Sequence, residues 1–108
     1  MEISKTQSLL NLITVTSEEF GPDVTARQIA TFLVVALAGD AGVEGTAIQK
    51  ATDSSQAASS RNLTKLSTKP GSWGLVDFRV DTADRRRTLA VLNANGKKVL
   101  ERILRAGK

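Results

Sequence analysis

The sequence predicts a small α+β domain, mainly α-helical, and three observations carry that prediction. Apolar residues recur at helical spacing through most of the chain. From Leu75 to Leu92 the period changes to two, as in half-buried strands. Breaker clusters, Phe20-Gly21-Pro22-Asp23 and Lys69-Pro70-Gly71-Ser72, punctuate these stretches. The 108 residues fit one domain, 1–108, with a 41% apolar content that can build a core. No internal repeat or long low-complexity tract interrupts it.

Residues 3–14 place Ile3, Leu9, Leu10, Leu12 and Ile13 on a short amphipathic helix. Thr25 then reads as an N-cap, with Gln28 three residues on completing a capping box. The helix from Ala26 to Ala38 is apolar nearly all round, which places it at the centre of a core. Gly39 and Asp40 end it. Val43-Glu44-Gly45 reads as a short strand. Thr46 can cap a helix from Ala47 to Ala51, and Asp53 or Ser54 can cap another running to about Ser67. Two short helices joined by a tight turn make a helix-turn-helix.

Val76, Phe78 and Val80 alternate with Asp77 and Arg79 in a first strand. Thr88–Leu92 forms a second, with Leu89 and Val91 on one face. Asp81–Arg87 is the charged tip of this β-hairpin. Asn93 or Asn95 starts a last helix, striped by Val99, Leu100, Ile103 and Leu104, with Gly96 in its first turn. The order describes a winged helix: a three-helix core, a β-hairpin wing and short flanking helices. Residues 1–20 supply an N-terminal dimerisation helix, 25–92 the winged-helix core and 93–108 the C-terminal helix.

Composition narrows the function. The absence of Cys removes disulfides, thiolate zinc sites and redox thiols. Without His, the usual general base and the commonest transition-metal ligand are missing. No enzyme, metal or cofactor is expected. The start lacks a basic region followed by an apolar stretch, and the apolar run Ile29–Ala38 is half a bilayer span. A cytoplasmic protein without membrane contact is expected.

Charge is divided unevenly. Residues 1–48 hold two basic and six acidic groups, a balance of −4; residues 49–108 hold thirteen basic and five acidic groups, a balance of +8. Such asymmetry points to a polyanionic partner.

Three stretches resemble the MarR family of transcription regulators, over roughly Thr25 to Leu104. They are Thr25-Ala26-Arg27-Gln28-Ile29-Ala30; Ser60-Arg61-Asn62-Leu63-Thr64-Lys65-Leu66 with Gly74-Leu75-Val76; and Asp81-Thr82-Ala83-Asp84-Arg85-Arg86 with Leu89-Ala90-Val91-Leu92-Asn93-Ala94-Asn95-Gly96. The D-x-x-D-x-R hairpin followed by V-L-x-x-x-G is the most specific part. The chain departs from the family in its short ends, in a longer link from Ser67 to Trp73, and in Ser59 and Asn62, where the family carries apolar residues. Its compactness is similar to that of regulators carried by phages and mobile elements. The resemblance implies a homodimer and binding to double-stranded DNA. An effector pocket of the family's kind is left open.

On the second helix of the helix-turn-helix, Ser59, Leu63 and Leu66 point to the core. The other face carries Ala57, Ala58, Ser60, Arg61, Thr64 and Lys65. Small residues let a helix enter the major groove deeply, where Gln56 can read adenine and Arg61 guanine. Ser54, Ser55 and Gln56 stand where free backbone N–H groups and side chains meet phosphates. The expected DNA contacts are Ser54, Ser55, Gln56, Ala57, Ser60, Arg61, Thr64 and Lys65 on the helix. Arg85, Arg86 and Arg87 form the wing contact, suited to a narrow minor groove. The resemblance further implies that Asp84 braces the wing through an arginine, Arg86 above all, leaving Arg85 freer. Trp73 reads as a structural residue under the link. The function expected is sequence-specific DNA binding by a repressor that occludes a promoter. A winged-helix protein-interaction module and a non-specific architectural nucleic-acid binder are the alternatives.

Overall fold

A computed structural model describes residues 2–107. Met1 and Lys108, the ends of the domain read from the sequence, lie outside the described residues. Among these residues, five α-helices, one 3-10 turn and three short strands follow one another. They are α1 (Ile3–Phe20), α2 (Ala26–Ala38), a 3-10 turn (Gly39–Ala41), β1 (Val43–Glu44), α3 (Gly45–Thr52), α4 (Gln56–Leu66), β2 (Val76–Val80), β3 (Thr88–Leu92) and α5 (Ala94–Ala106). The sheet is antiparallel in the order β1-β3-β2. Among the described residues no helix is long and apolar enough to cross a membrane.

The first helix is longer than its apolar pattern predicts, continuing through Thr14-Val15-Thr16-Ser17-Glu18-Glu19 to Phe20. Hydroxyl and β-branched residues weaken the helical signal there. Tertiary packing overrides it: Thr16 is buried and its Oγ1 donates to the Leu12 carbonyl at 2.6 Å. Phe20 meets Phe32 and Trp73 edge to face, at centroid distances of 5.3 and 5.1 Å. Gly21, at φ +98°, ends the helix in a conformation that a side chain rarely takes.

Helix α2 begins at the expected capping box: Thr25 Oγ1 accepts from Gln28 N, and Gln28 Oε1 accepts from Thr25 N. Its all-round apolarity does not bring all-round burial. Thr31, Phe32 and Val35 are buried, whereas Leu37 is 88% exposed and Leu33 is also exposed. The core meets only one side of this helix.

The strands leave the core early. Val76 is buried, but Phe78 (46%) and Val80 (56%) are exposed, because β2 runs out past the helices into the wing. On β3, Ala90 and Leu92 take the deepest core positions, rather than Leu89 and Val91. The latter pair is half-buried under the turn at Gly42, where an added Cβ would lie 2.8 Å from Leu89 Cβ. At the start of α5, Asn93 Oδ1 accepts from Gly96 N at 2.9 Å. Gly96 allows α5 to approach the Leu75 carbonyl, which a Cβ would meet at 2.3 Å. The two flanking helices pack on each other within the chain: Val99 and Ile103 of α5 are buried, Leu12 lies against Gly107, and Arg102 pairs with Glu19.

Candidate nucleic-acid interface

The helix-turn-helix is α3 and α4. Its elbow rests on Asp53, the one non-glycine residue at positive φ among those described (φ 49°, ψ 51°), whose N–H closes the end of α3 on the Gln49 and Lys50 carbonyls. Asp tolerates this left-handed geometry better than most residues. Neither expected cap is used. Thr46 lies inside the first turn of α3, whose N-cap Glu44 makes no side-chain cap, and α4 is capped by Ser55, whose Oγ accepts from Ala58 N at 3.1 Å. Ser54 Oγ donates to the Thr52 carbonyl (3.3 Å) and accepts from Thr52 Oγ1 (2.9 Å). The hydroxyls of Ser54 and Ser55, read from the sequence as DNA contacts, are therefore engaged in the elbow. Arg27, for which the sequence suggested no contact, bonds across from α2 through Nε to the Thr52 carbonyl at 3.2 Å. A helix C-terminus with unpaired carbonyls attracts such a cation.

Helix α4 turns Ser59 and Leu66 inward, with Leu63 half-buried. Ser59 is 2% exposed, and its Oγ has no partner. Outward it shows Gln56, Ala57, Ser60, Arg61, Thr64 and Lys65, all exposed. This ridge runs between two clefts. One, of 240 Å³, lies towards α3 and the wing, lined by Gly45, Gln49, Gln56, Ser59, Leu63 and Phe78 among others. The other lies towards the 67–74 link and is lined by Arg61, Lys65 and Pro70–Ser72. The Lys65 ammonium donates to the Gly71 carbonyl at 3.1 Å and stands 5.6 Å from the centre of the Trp73 ring. Trp73 Nε1 in turn donates to the Phe20 carbonyl at 2.8 Å. The end of α4 is thereby tied to α1.

At the wing tip the three arginines separate into different environments. Asp84 takes Arg86 in bidentate fashion (Nε at 3.1 Å, Nη2 at 3.2 Å) and also accepts from its backbone N–H at 3.1 Å. The Arg86 guanidinium first, and its N–H second, hold the Asp84 carboxyl below the usual carboxylate range. Arg86 nonetheless keeps 90% of its side chain exposed. Arg87 is turned back towards the body, paired with Glu44 on β1 and, at 3.8 Å, with Asp81. Arg85 has no acidic partner among the described residues and lines a cleft with Val80, Asp81 and Thr82. The tip is closed by Asp81 N to the Arg87 carbonyl (2.9 Å) and Arg87 N to the Asp84 carbonyl (3.0 Å). On α5, Lys97 and Arg105 pair with Asp40 and Glu101.

Comparison of the sequence with protein-family models and with curated proteins finds no match. Solved structures do match. A point mutant of S. aureus MepR is 27% identical, with a TM-score of 0.69, over 83% of this chain and 61% of its own. The structure of S. aureus MepR in complex with DNA is 23% identical, with a TM-score of 0.75, over 94% and 77%. The structure of MarR is 19% identical, with a TM-score of 0.66, over 86% and 64%. The chain thus spans 61% of the first of these and 64% of the last. Helix-turn-helix, three-stranded sheet, projecting hairpin and flanking helices together give this chain the winged-helix fold of MarR-type regulators.

Proposed function

We propose that the chain binds double-stranded DNA as a MarR-like transcription regulator, with α4 in the major groove and the wing tip in the adjoining minor groove. The observation that carries this reading is the exposed ridge of α4. It is small and polar at its start, basic towards its end, and lies beside an arginine-tipped hairpin; residues 54–76 contain no acidic group. Among proteins of the same fold, S. aureus MepR has been solved in complex with DNA. Gln56 and Ala57 supply the base-directed leading edge, Ser60, Arg61, Thr64 and Lys65 the polar and basic flank of the helix, and Arg85 and Arg86 the charge at the minor groove.

The reading includes a homodimer. Leu9, Ile13, Leu33 and Leu104 are exposed around an almost wholly apolar groove between α1, α2 and α5. A contiguous apolar surface of this kind favours a self-complementary contact, and two copies then present two α4 helices to successive half-sites. Repression follows by occlusion of a promoter.

Selection from a pool of random duplexes at two salt concentrations tests this. A palindrome should be enriched, with affinity falling as salt rises. Retention of all sequences alike would replace regulation with an architectural role. Failure to retain any duplex would overturn the reading and favour a protein partner.

A further inference from the structure

The link between α4 and β2 is ordered by its own hydrogen bonds. Lys69-Pro70-Gly71-Ser72 is a turn with Pro at its second position, Gly71 at φ +80° and Ser72 N donating to the Lys69 carbonyl at 3.0 Å. These are the marks of a type II turn. Ser67 N and Oγ donate to the Thr64 carbonyl, Trp73 N to Lys65 and Leu75 N to Leu66. The last carbonyls of α4 are thus occupied. The negative helix end, which repels an anion, is covered by the link.

What the turn leaves unspent faces the cleft beside α4, which has a volume of 320 Å³. Among the described residues, the hydroxyls of Ser60, Thr64 and Ser72 and the guanidinium of Arg61 make no hydrogen bond to the protein. Lys65 commits one of its three protons, to Gly71. Lys69 is exposed on the same turn, and no carboxylate occurs between Asp53 and Asp77. Hydroxyl and cationic donors converge on one concave surface with no carboxylate to receive them. That is the donor set of a phosphate site.

We infer that this cleft grips a backbone phosphate of the DNA on the flank of α4 away from the wing, so that the link serves as a second, shorter wing. The inference rests on the DNA-binding reading above. A helix in the major groove runs between two walls of phosphates. The wing side of α4 is lined by Gln49, Gln56 and Phe78, which carry no charge, whereas the link side carries Arg61 and Lys65. The link is already folded against α4, so little ordering cost accompanies the contact.

The test uses the full chain and a duplex enriched in the selection described above. Ser72→Asp places a carboxylate in the cleft, and Lys69→Ala removes a neighbouring charge. Ser72→Asp should weaken binding by about tenfold, on the enriched and on unrelated duplexes alike, and each variant should lower the salt slope by about one. Replacing single phosphates with neutral methylphosphonates should find one position that costs the parent affinity but leaves Ser72→Asp unaffected. Unchanged emission from Trp73, the only tryptophan in the chain, would show the link still seated in both variants. If both variants match the parent in affinity and salt slope while Arg85→Ala still weakens binding, the inference fails and the DNA-binding reading stands. If the parent retains no duplex, both fail.

Discussion

Around α4 and the wing, Ser60, Arg61, Thr64 and Arg85 offer donors that no protein acceptor among the described residues takes up. Around the groove of α1, α2 and α5, Leu9, Ile13, Leu33 and Leu104 offer hydrocarbon that no side chain covers. The first surface sits on a helix whose inner side is itself polar, at Ser59. The second sits directly over the hydrophobic core, next to Phe32 and Ile103. Unspent donors select a charged, hydrogen-bonding partner. Unspent apolar area selects another apolar surface and is indifferent to the partner's charge pattern. The two surfaces therefore respond differently to salt, pH and mutation, and those differences can be used to separate them.

The largest effect should come from breaking the apolar surface. Leu33→Glu with Leu104→Glu should yield a monomer by sedimentation at micromolar concentration. Loss of the second half-site contact should lower affinity for a palindrome by about a hundredfold. A dimer that persists in this variant would place the interface elsewhere. Next in size is the polar surface. Arg85→Ala should reduce affinity by about tenfold and the salt slope by about one, without altering the mass. Arg87→Ala should disturb the hairpin at least as much as the contact, because Arg87 is tied to Glu44 and Asp81. Its thermal midpoint should fall, whereas that of Arg85→Ala should not.

A third prediction concerns the interior of α4. The buried Ser59 hydroxyl has no protein partner among the described residues, and an unsatisfied group of this kind costs about 1–3 kcal/mol. Ser59→Ala should therefore raise stability by about 1 kcal/mol in urea unfolding, leaving self-association unchanged. The smallest effect is that of pH. Asp84 has a lowered carboxyl pKa when folded, so its contribution is present above its unfolded value and is lost as pH falls through the folded one. That window lies in the acid range below about pH 4. With no His or Cys in the chain, DNA affinity should stay nearly flat from about pH 5 to pH 8. A titration step inside that range would mean that a group other than those placed at the wing controls binding.

Local chemistry was readable wherever it is carried by neighbours in the chain. The Thr25–Gln28 capping box, the limits of α2 and β3, the turn at Pro70–Gly71 and the hairpin all depend on residues within a few positions of one another. The Asp84–Arg86 pair was expected from the family resemblance rather than from the residues alone, and it is present. Capping at the elbow was harder, because Asp53, Ser54 and Ser55 are all good cap residues and only the turn geometry selects Ser55. The true length of α1 was hidden as well. Thr14–Glu19 has weak helical character, and what holds it is the contact of Phe20 with Phe32 and Trp73.

By itself, then, the sequence determined the order of elements, the mainly helical α+β class, the polar outer face of α4 and the concentration of positive charge after residue 48. These follow from periodicity, composition and short-range hydrogen bonding. Tertiary structure alone decided which apolar residues remain uncovered on α2 and α5, that Arg87 turns back to Glu44, and that Trp73 ties the link to α1 while Lys65 closes it against α4. Each of these depends on groups brought together from distant parts of the chain, such as Arg87 with Glu44 and Trp73 with Phe20. A one-dimensional pattern holds no record of such distances, because burial and pairing are settled only when the elements pack.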